Sequence, residues 1–191
     1  MSGPSNMPIR QRLVALAAAL LVISAVPAGA APEEPVGYRM GKYRAEVPAT
    51  LKGATVVDPA GAIGLWDSKG AVFVDVLPRP PRPSGLAEGT VWRPPVRRNI
   101  PGSTWLANVG FGKINPDVEA YFRTNLETLS GGDRAAPLLF YCLAKCWMSW
   151  NAAKRALEWG YTNVYWFPEG TNGWTAAGRD VAESDPAPLK P

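Results

Sequence analysis

Apolar residues recur along this chain in two rhythms. Short, nearly unbroken apolar runs fall at 71–76, 137–141 and 163–167, each bounded by turn-forming residues, as in buried strands. A further short strand is expected at 104–109. Between these runs the spacing becomes helical. Asp58-Pro59 supplies an N-cap and a proline for the first helical position, Ile63 and Trp66 mark an apolar face, and Gly70 is the expected stop. Asn115-Pro116 starts a second helix, with Val118, Phe122, Leu126 and Leu129 on one face and Gly131-Gly132 behind it. Ser149 is the expected cap of a third, which carries Trp150, Ala153, Ala156 and Leu157 and is ended by Gly160. Strands separated by helices of this length predict an α/β fold: a single domain with a central parallel sheet flanked by helices.

The two ends read differently. Arg10 and Arg12 precede an apolar run at 13–26, and Pro27 with Ala28-Gly29-Ala30 supplies a small-residue cleavage site. This is the layout of a secretory signal peptide over 1–30, and the run is short for a membrane span. Such a signal implies export to the periplasm, and no later apolar run suggests a membrane span once it is removed. Residues 31–51 read as a leader, Pro- and Glu-containing at its start, ahead of a domain over 52–179. The tail over 180–191 is rich in Ala, Pro and charge, and is expected to be disordered.

Composition then narrows the chemistry. Of 191 residues none is His, two are Cys and eight are Trp. Without His there is no Ser-His-Asp triad, no Cys-His dyad and no His-ligated metal. Two Cys cannot complete a four-ligand zinc site, so no metal is expected. Arg10 and Arg12 leave with the signal peptide, which lowers the net charge from +4 to +2. That excess is too slight for a nucleic-acid footprint.

Both Cys stand in one stretch, Tyr141-Cys142-Leu143-Ala144-Lys145-Cys146-Trp147-Met148-Ser149-Trp150. Cys142 closes a buried strand, where open α/β sheets gather ligands and reactive groups. A loop turning into a helix offers backbone N–H groups and the partial positive charge of the helix N-terminus, and Lys145 adds a cation. These features favour a thiolate at Cys142.

Five motifs occur in order: Asp75-Val76 after an apolar strand, Ile100-Pro101-Gly102-Ser103, Tyr141-Cys142, Gly160-Tyr161-Thr162-Asn163-Val164-Tyr165, and Glu169-Gly170 with Gly173-Trp174. Together they resemble the rhodanese-like domains. The run from Cys142 to Trp150 resembles, more narrowly, a small exported family named for a CXXCW motif and associated with PQQ-dependent catabolism of alcohols, although here three residues separate the two Cys. That resemblance implies an accessory role in periplasmic quinoprotein alcohol oxidation. It implies a quinoprotein dehydrogenase or a cytochrome as partner, and PQQ as part of the context; no cofactor of the chain's own is firmly implied. The sequence also departs from active rhodaneses, whose loop runs Cys-x-x-x-x-Arg before Ser or Thr. Here Met148 stands at the Arg position, after a loop whose length resembles that of the dual-specificity phosphatases of the same fold. Met offers no bidentate clamp for phosphate, which argues against phosphatase chemistry. Lys145 is the loop's sole cation, and Leu77 replaces an Arg that often follows Asp-Val.

Three readings are open for the cysteines. The pair can cycle between dithiol and disulfide. Alternatively, Cys142 can carry a persulfide taken from a small sulfur donor, with Cys146 as the accepting thiol. The third reading is a plain structural disulfide, the default in an exported chain. So short a loop removes little chain entropy on closure and is prone to strain, which favours redox use over stapling. The expected site is therefore Cys142 and Cys146, framed by the loop residues Leu143, Ala144, Lys145, Trp147, Met148 and Ser149. Trp147 and Trp150 either pack the core or stack on a planar ligand, core packing being favoured. Arg93, Arg97 and Arg98, with Arg79 and Arg82, form either a solvated face or contacts for an anion or an acidic partner. Asp75 either orients loop N–H groups or caps its strand end, capping being favoured. A catalytically silent binding module remains the alternative to thiol chemistry.

Overall fold

The computed structural model describes residues 31–188 and the isolated Gly3; the rest of the expected signal peptide and residues 189–191 lie outside the described residues. Five strands form the central sheet: β1 (Ala54–Val56), β2 (Val72–Asp75), β4 (Thr104–Trp105), β5 (Leu138–Tyr141) and β6 (Val164–Phe167). Their order is β1-β6-β5-β2-β4, and every pairing is parallel. β3 (Arg97–Asn99) and β7 (Ala182–Ser184) make a separate antiparallel pair. The helices are α1 (Pro59–Asp67), α2 (Pro116–Ser130), α3 (Trp147–Glu158) and α4 (Gly170–Ala176). None of the helices is long and apolar enough to cross a membrane, among the described residues.

A parallel sheet covered on both faces needs apolar side chains pointing both ways. β5 shows this directly, because all four of its residues are buried. Leu138 and Phe140 join the larger core cluster with Phe122 and Leu126 of α2 and Trp150 and Ala153 of α3. Leu139 and Tyr141 face the other way, into a smaller cluster with Ala62 of α1 and Trp174 of α4. The predicted caps explain where two helices begin. Asp58 Oδ1 accepts from the Gly61 N–H at 2.8 Å, and Asn115 Oδ1 accepts from the Val118 N–H at 2.8 Å. Gly131, at φ 62°, ends α2 in the left-handed conformation that favours glycine.

Several elements differ from the sequence expectation. The strand expected at 104–109 is only Thr104–Trp105, after which Leu106 and Val109 are buried from a turn. α1 stops at Asp67, ahead of Gly70, with Ser68 as its cap. α3 starts at Trp147 with Cys146 in the cap position, so Ser149 lies inside the helix. The tail expected to be disordered carries β7, which pairs with β3, and Pro186 bridges Trp105 beside β4. Ala187 accepts from the Tyr121 hydroxyl at 2.9 Å and donates its N–H to the Trp105 carbonyl at 2.8 Å. The tail has few apolar groups, so backbone pairing along an otherwise open sheet edge is what holds it. Within the expected leader, Tyr43, Ala45 and Val47 pack against the larger core and Leu51 is buried within it.

Two polar side chains on α3 are buried and hold the surrounding chain. Asn151 accepts from the Arg39 N–H at 2.9 Å and donates to the carbonyls of Arg39 and Gly110, each at 3.0 Å. Arg155 donates to the carbonyls of Val109, Phe111 and Gly112 at 2.9–3.1 Å. Its guanidinium stacks on the Tyr38 ring at 4.1 Å. Burial lowers its pKa from the ordinary guanidinium value, against the opposing pull of Tyr38 and Glu158. Replacing Arg155 with Met keeps the stem and strands three carbonyls. The substitution should destabilise the fold by about 1–3 kcal/mol, the cost of a buried polar group left unpaired. Urea unfolding of the two proteins measures the difference.

Candidate functional site

Cys142 follows β5 directly, at the carboxyl edge of the sheet. Its carbonyl accepts from the Thr171 N–H at 3.1 Å and from the Thr171 hydroxyl at 3.4 Å. Leu143 bridges Gly170 in antiparallel fashion. A side chain at Gly170 would collide with the Cys142 carbonyl, and the φ of +50° also favours glycine there. The Ala144 N–H is taken by Asn172 Oδ1 at 2.9 Å. The start of α4 thus holds one flank of the loop. Lys145 turns the chain at φ 54° and leads into Cys146.

The other flank is held by residues 43–46, here called the strap. The Ala45 N–H donates to the Lys145 carbonyl at 3.1 Å, and the Trp147 N–H donates to the Tyr43 carbonyl at 2.9 Å. Arg44 and Cys146 form an antiparallel bridge. The Trp147 indole donates to the Glu46 carbonyl at 2.9 Å, while Lys145 pairs with the Glu46 carboxylate on the surface. The Tyr43 hydroxyl points elsewhere and accepts from the Gly112 N–H at 3.1 Å. These contacts explain the early start of α3. The strap supplies the acceptor that the first helical N–H needs, so no hydroxyl cap is required. Ser149 Oγ, released from capping, donates to the Cys146 carbonyl and accepts from the Trp166 indole, each at 3.1 Å.

Cys142 and Cys146 are joined by a disulfide, with Cα atoms 6.6 Å apart. The two residues are 0% and 2% exposed, so the bond is enclosed by strap, loop and core. The structure brings all the expected loop residues together but assigns them different work. Trp147 is buried, lies edge-on to Trp150 at 5.5 Å and carries the Arg39 guanidinium over its ring at 5.1 Å. Neither face is left for a planar ligand, and both Trp pack the core. Met148 is a core residue, tight against Gly110. The helix terminus invoked for Cys142 lies instead at Cys146, the cap residue of α3.

The arginines separate. Arg97 is buried, and its Nε donates to Asp75 Oδ2 at 2.6 Å. Asp75 also accepts from the Leu77 N–H at 3.0 Å and from Asn99 Nδ2 at 3.3 Å, so it caps its strand end as expected and anchors β3 as well. Burial raises the Asp75 carboxyl above the ordinary 3.8, against the lowering pull of Arg97, the Leu77 N–H and Asn99. Arg98 is exposed and pairs with Glu183 across the β3–β7 ladder at 3.6 Å. Arg93 lines a cavity with Arg79. None of the three Arg meets the cysteine loop in an ion pair or hydrogen bond, among the described residues. The Ile100–Ser103 turn is pinned by Tyr141, whose hydroxyl accepts from the Ile100 N–H at 3.1 Å and donates to Ser103 Oγ at 2.7 Å. Burial, and the nearby Asp75 carboxylate, hold that phenol well above its ordinary 10.0.

Sequence reasoning missed the strap, Asn172, Asn151 and Arg155. The strap did leave a signal: Tyr43-Arg44-Ala45-Glu46-Val47 alternates apolar and polar, and its exposure alternates in step.

No family model and no curated protein matches the sequence. Solved structures do resemble it. A thiosulfate sulfurtransferase from Pseudomonas aeruginosa is 19% identical at a TM-score of 0.46, over 70% of this chain; the match spans 21% of that protein's length. An uncharacterized protein from Saccharomyces cerevisiae is 24% identical at 0.41, over 65% of this chain and 93% of its own. A homodimeric polysulfide-sulfur transferase from Wolinella succinogenes is 17% identical at 0.41, over 68% of this chain and 79% of its own.

If the strap shields the disulfide, loosening it must speed reduction. Ala45→Pro removes the N–H that holds the Lys145 carbonyl. Reduction by dithiothreitol, followed by thiol alkylation, should be faster by roughly threefold to tenfold, matching the net ~0.5–1.5 kcal/mol of one hydrogen bond.

Proposed function

We propose that the chain is a rhodanese-like thiol protein whose reactive group is the Cys142–Cys146 disulfide, cycling between disulfide and dithiol. The observation that carries this reading is the bond itself, closed across a short loop at the carboxyl edge of a parallel sheet. A thiolate of a reducing dithiol attacks Cys142 Sγ, and the Cys142–Cys146 bond breaks with Cys146 leaving as the thiolate. The second thiolate of the reductant then resolves the mixed disulfide, leaving the reductant oxidised and both cysteines reduced. Two electrons and two protons are taken up once the thiolates protonate. The N-terminus of α3 favours Cys146 as leaving thiolate, because the partial positive charge of the helix end lies at that residue. Loop N–H groups contribute less than the sequence suggests, since Asn172 and Tyr43 already take those of Ala144 and Trp147.

One observation favours a second reading, sulfur transfer. Cys142 occupies the strand-end position of the Tyr141-Cys142 motif. Hydrosulfide attack on Cys142 Sγ would form a Cys142 persulfide and release the Cys146 thiolate, and attack by Cys146 would return the hydrosulfide. In cellular context, the run from Cys142 to Trp150 supports an accessory role in PQQ-dependent alcohol oxidation. A quinoprotein dehydrogenase or a cytochrome would then be the electron-transfer partner. The apolar run at 13–26 supports export to the periplasm.

Equilibration of the folded protein in glutathione buffers, with alkylation and mass spectrometry, tests the redox reading. The 142–146 bond should open and re-form reversibly while the fold persists. A bond that opens only when the chain unfolds would make it a staple. Incubation with sulfide tests the second reading: one added sulfur is expected on Cys142, and none in Cys142→Ser. In the native host, Cys146→Ser should slow growth on alcohols and leave growth on sugars unchanged. Undisturbed growth on alcohols in both Cys→Ser variants would point to a binding module.

A further inference from the structure

A second site lies away from the disulfide, where the long loop after β2 meets the C-terminal segment. A cavity of about 360 Å³ is lined there by Arg79, Arg93, Arg97 and Trp105 on one side and by Glu183 and Asp185 on the other. Arg97 is 7% exposed, and Asp75 occupies only its Nε. Its buried Nη2 has no hydrogen-bond partner among the described residues. A guanidinium presents five N–H groups in a fixed fork, and a buried charged donor without an acceptor is costly. Arg79 and Arg93 are exposed and in no ion pair among the described residues. Of the two carboxylates, Glu183 is engaged by Arg98. The balance at the cavity is cationic.

We propose that this cavity binds a small molecule bearing a tetrahedral oxyanion, held by Arg79, Arg93 and Arg97. Guanidinium forks match phosphate and sulfate oxygens two at a time, which suits them to this ligand better than lysines would be. Trp105 gives the cavity a flat, rigid wall, fixed by its indole N–H on the Leu77 carbonyl at 2.7 Å. A second cavity of about 250 Å³ adjoins it, sharing Arg79 and Pro186, and is lined by Val118 and Tyr121. The oxyanion head therefore binds among the arginines, and an organic ester has room for its apolar part beside α2. Bound there, the ligand ties the loop after β2 to the tail strand β7. The site is independent of the cysteine chemistry.

Calorimetric titration of the purified full chain at fixed ionic strength tests this, with inorganic phosphate and phenyl phosphate as probes. Saturable binding is expected for both, and Arg79→Ala and Arg93→Ala should each weaken it by about tenfold, the value of one charge-assisted hydrogen bond. Arg97 is left intact because Asp75 depends on it. Arg134→Ala should bind as the native chain does, since Arg134 lines neither cavity and pairs with Glu127 elsewhere. Tighter binding of phenyl phosphate identifies an organic ester as the ligand, and equal binding identifies the free oxyanion. Cys142→Ser should bind normally, which separates this site from the disulfide. No saturable binding of either probe, or binding undiminished by Arg79→Ala and Arg93→Ala, overturns the proposal.

Discussion

The loop that carries the disulfide has both its cysteines buried and only Lys145 exposed at its tip, so the backbone it takes inside must find partners. Residues 43–46 and the start of α4 supply them, one on each flank. Much else follows from that arrangement. The strap lets α3 begin at Trp147, which places Cys146 in the cap position and frees the Ser149 hydroxyl to join Cys146 to Trp166. It also covers the sulfurs, so their exposure is set by contacts made from outside the sheet.

Further along the same helix, Asn151 and Arg155 hold the chain just ahead of the strap and the segment that the Tyr43 hydroxyl touches. Asn151 holds Arg39 by both its N–H and its carbonyl, as a β-ladder would. Arg155 holds three carbonyls of the segment at 109–112, and Tyr38 covers its guanidinium. Segments far apart in sequence are therefore fastened to one face of α3. Asn and Arg are suited to this, because each offers several donors in fixed geometry toward backbone carbonyls that would otherwise be buried unpaired. The same logic recurs at the β2 end, where Asp75 gathers Arg97, Asn99 and the Leu77 N–H.

Most of the sheet and three of the four helices were legible because their causes are local, whereas β1 and α4 were not read from the sequence. Apolar runs marked β2, β5 and β6, and Asp58 and Asn115 capped the helices they were expected to cap. The parallel central sheet followed from the alternation of those segments. Elements held by distant backbone were not legible. β7 has the sequence Ala-Glu-Ser, which reads as tail, and its pairing with Arg97–Asn99 is fixed by chain path. Ser149 failed as a cap for a similar reason: a carbonyl from Tyr43, more than a hundred residues away, does the work locally assigned to a hydroxyl. At the site, the position of both cysteines was legible. The fate of the arginines was not, because burial of Arg97 against Asp75 depends on how the long loop returns to the sheet edge.

Distant contacts also decide how the two cysteines divide their roles. From sequence, Cys142 inherits every activating feature, since it ends a strand and precedes a helix. In three dimensions those features are dispersed. Lys145 is turned to Glu46, the Ala144 N–H to Asn172, and the Trp147 N–H to Tyr43. The helix terminus remains, and it belongs to Cys146. With no imidazole in the chain to take up a proton, that terminus is the principal electrostatic difference between the two sulfurs. A sulfur at a helix N-terminus leaves more readily as thiolate, and its enclosed partner is then the one that holds a bond to an incoming sulfur. On this division both thiol readings run through the same first step, attack at Cys142 with departure of Cys146, and differ only in whether a dithiol or a hydrosulfide arrives.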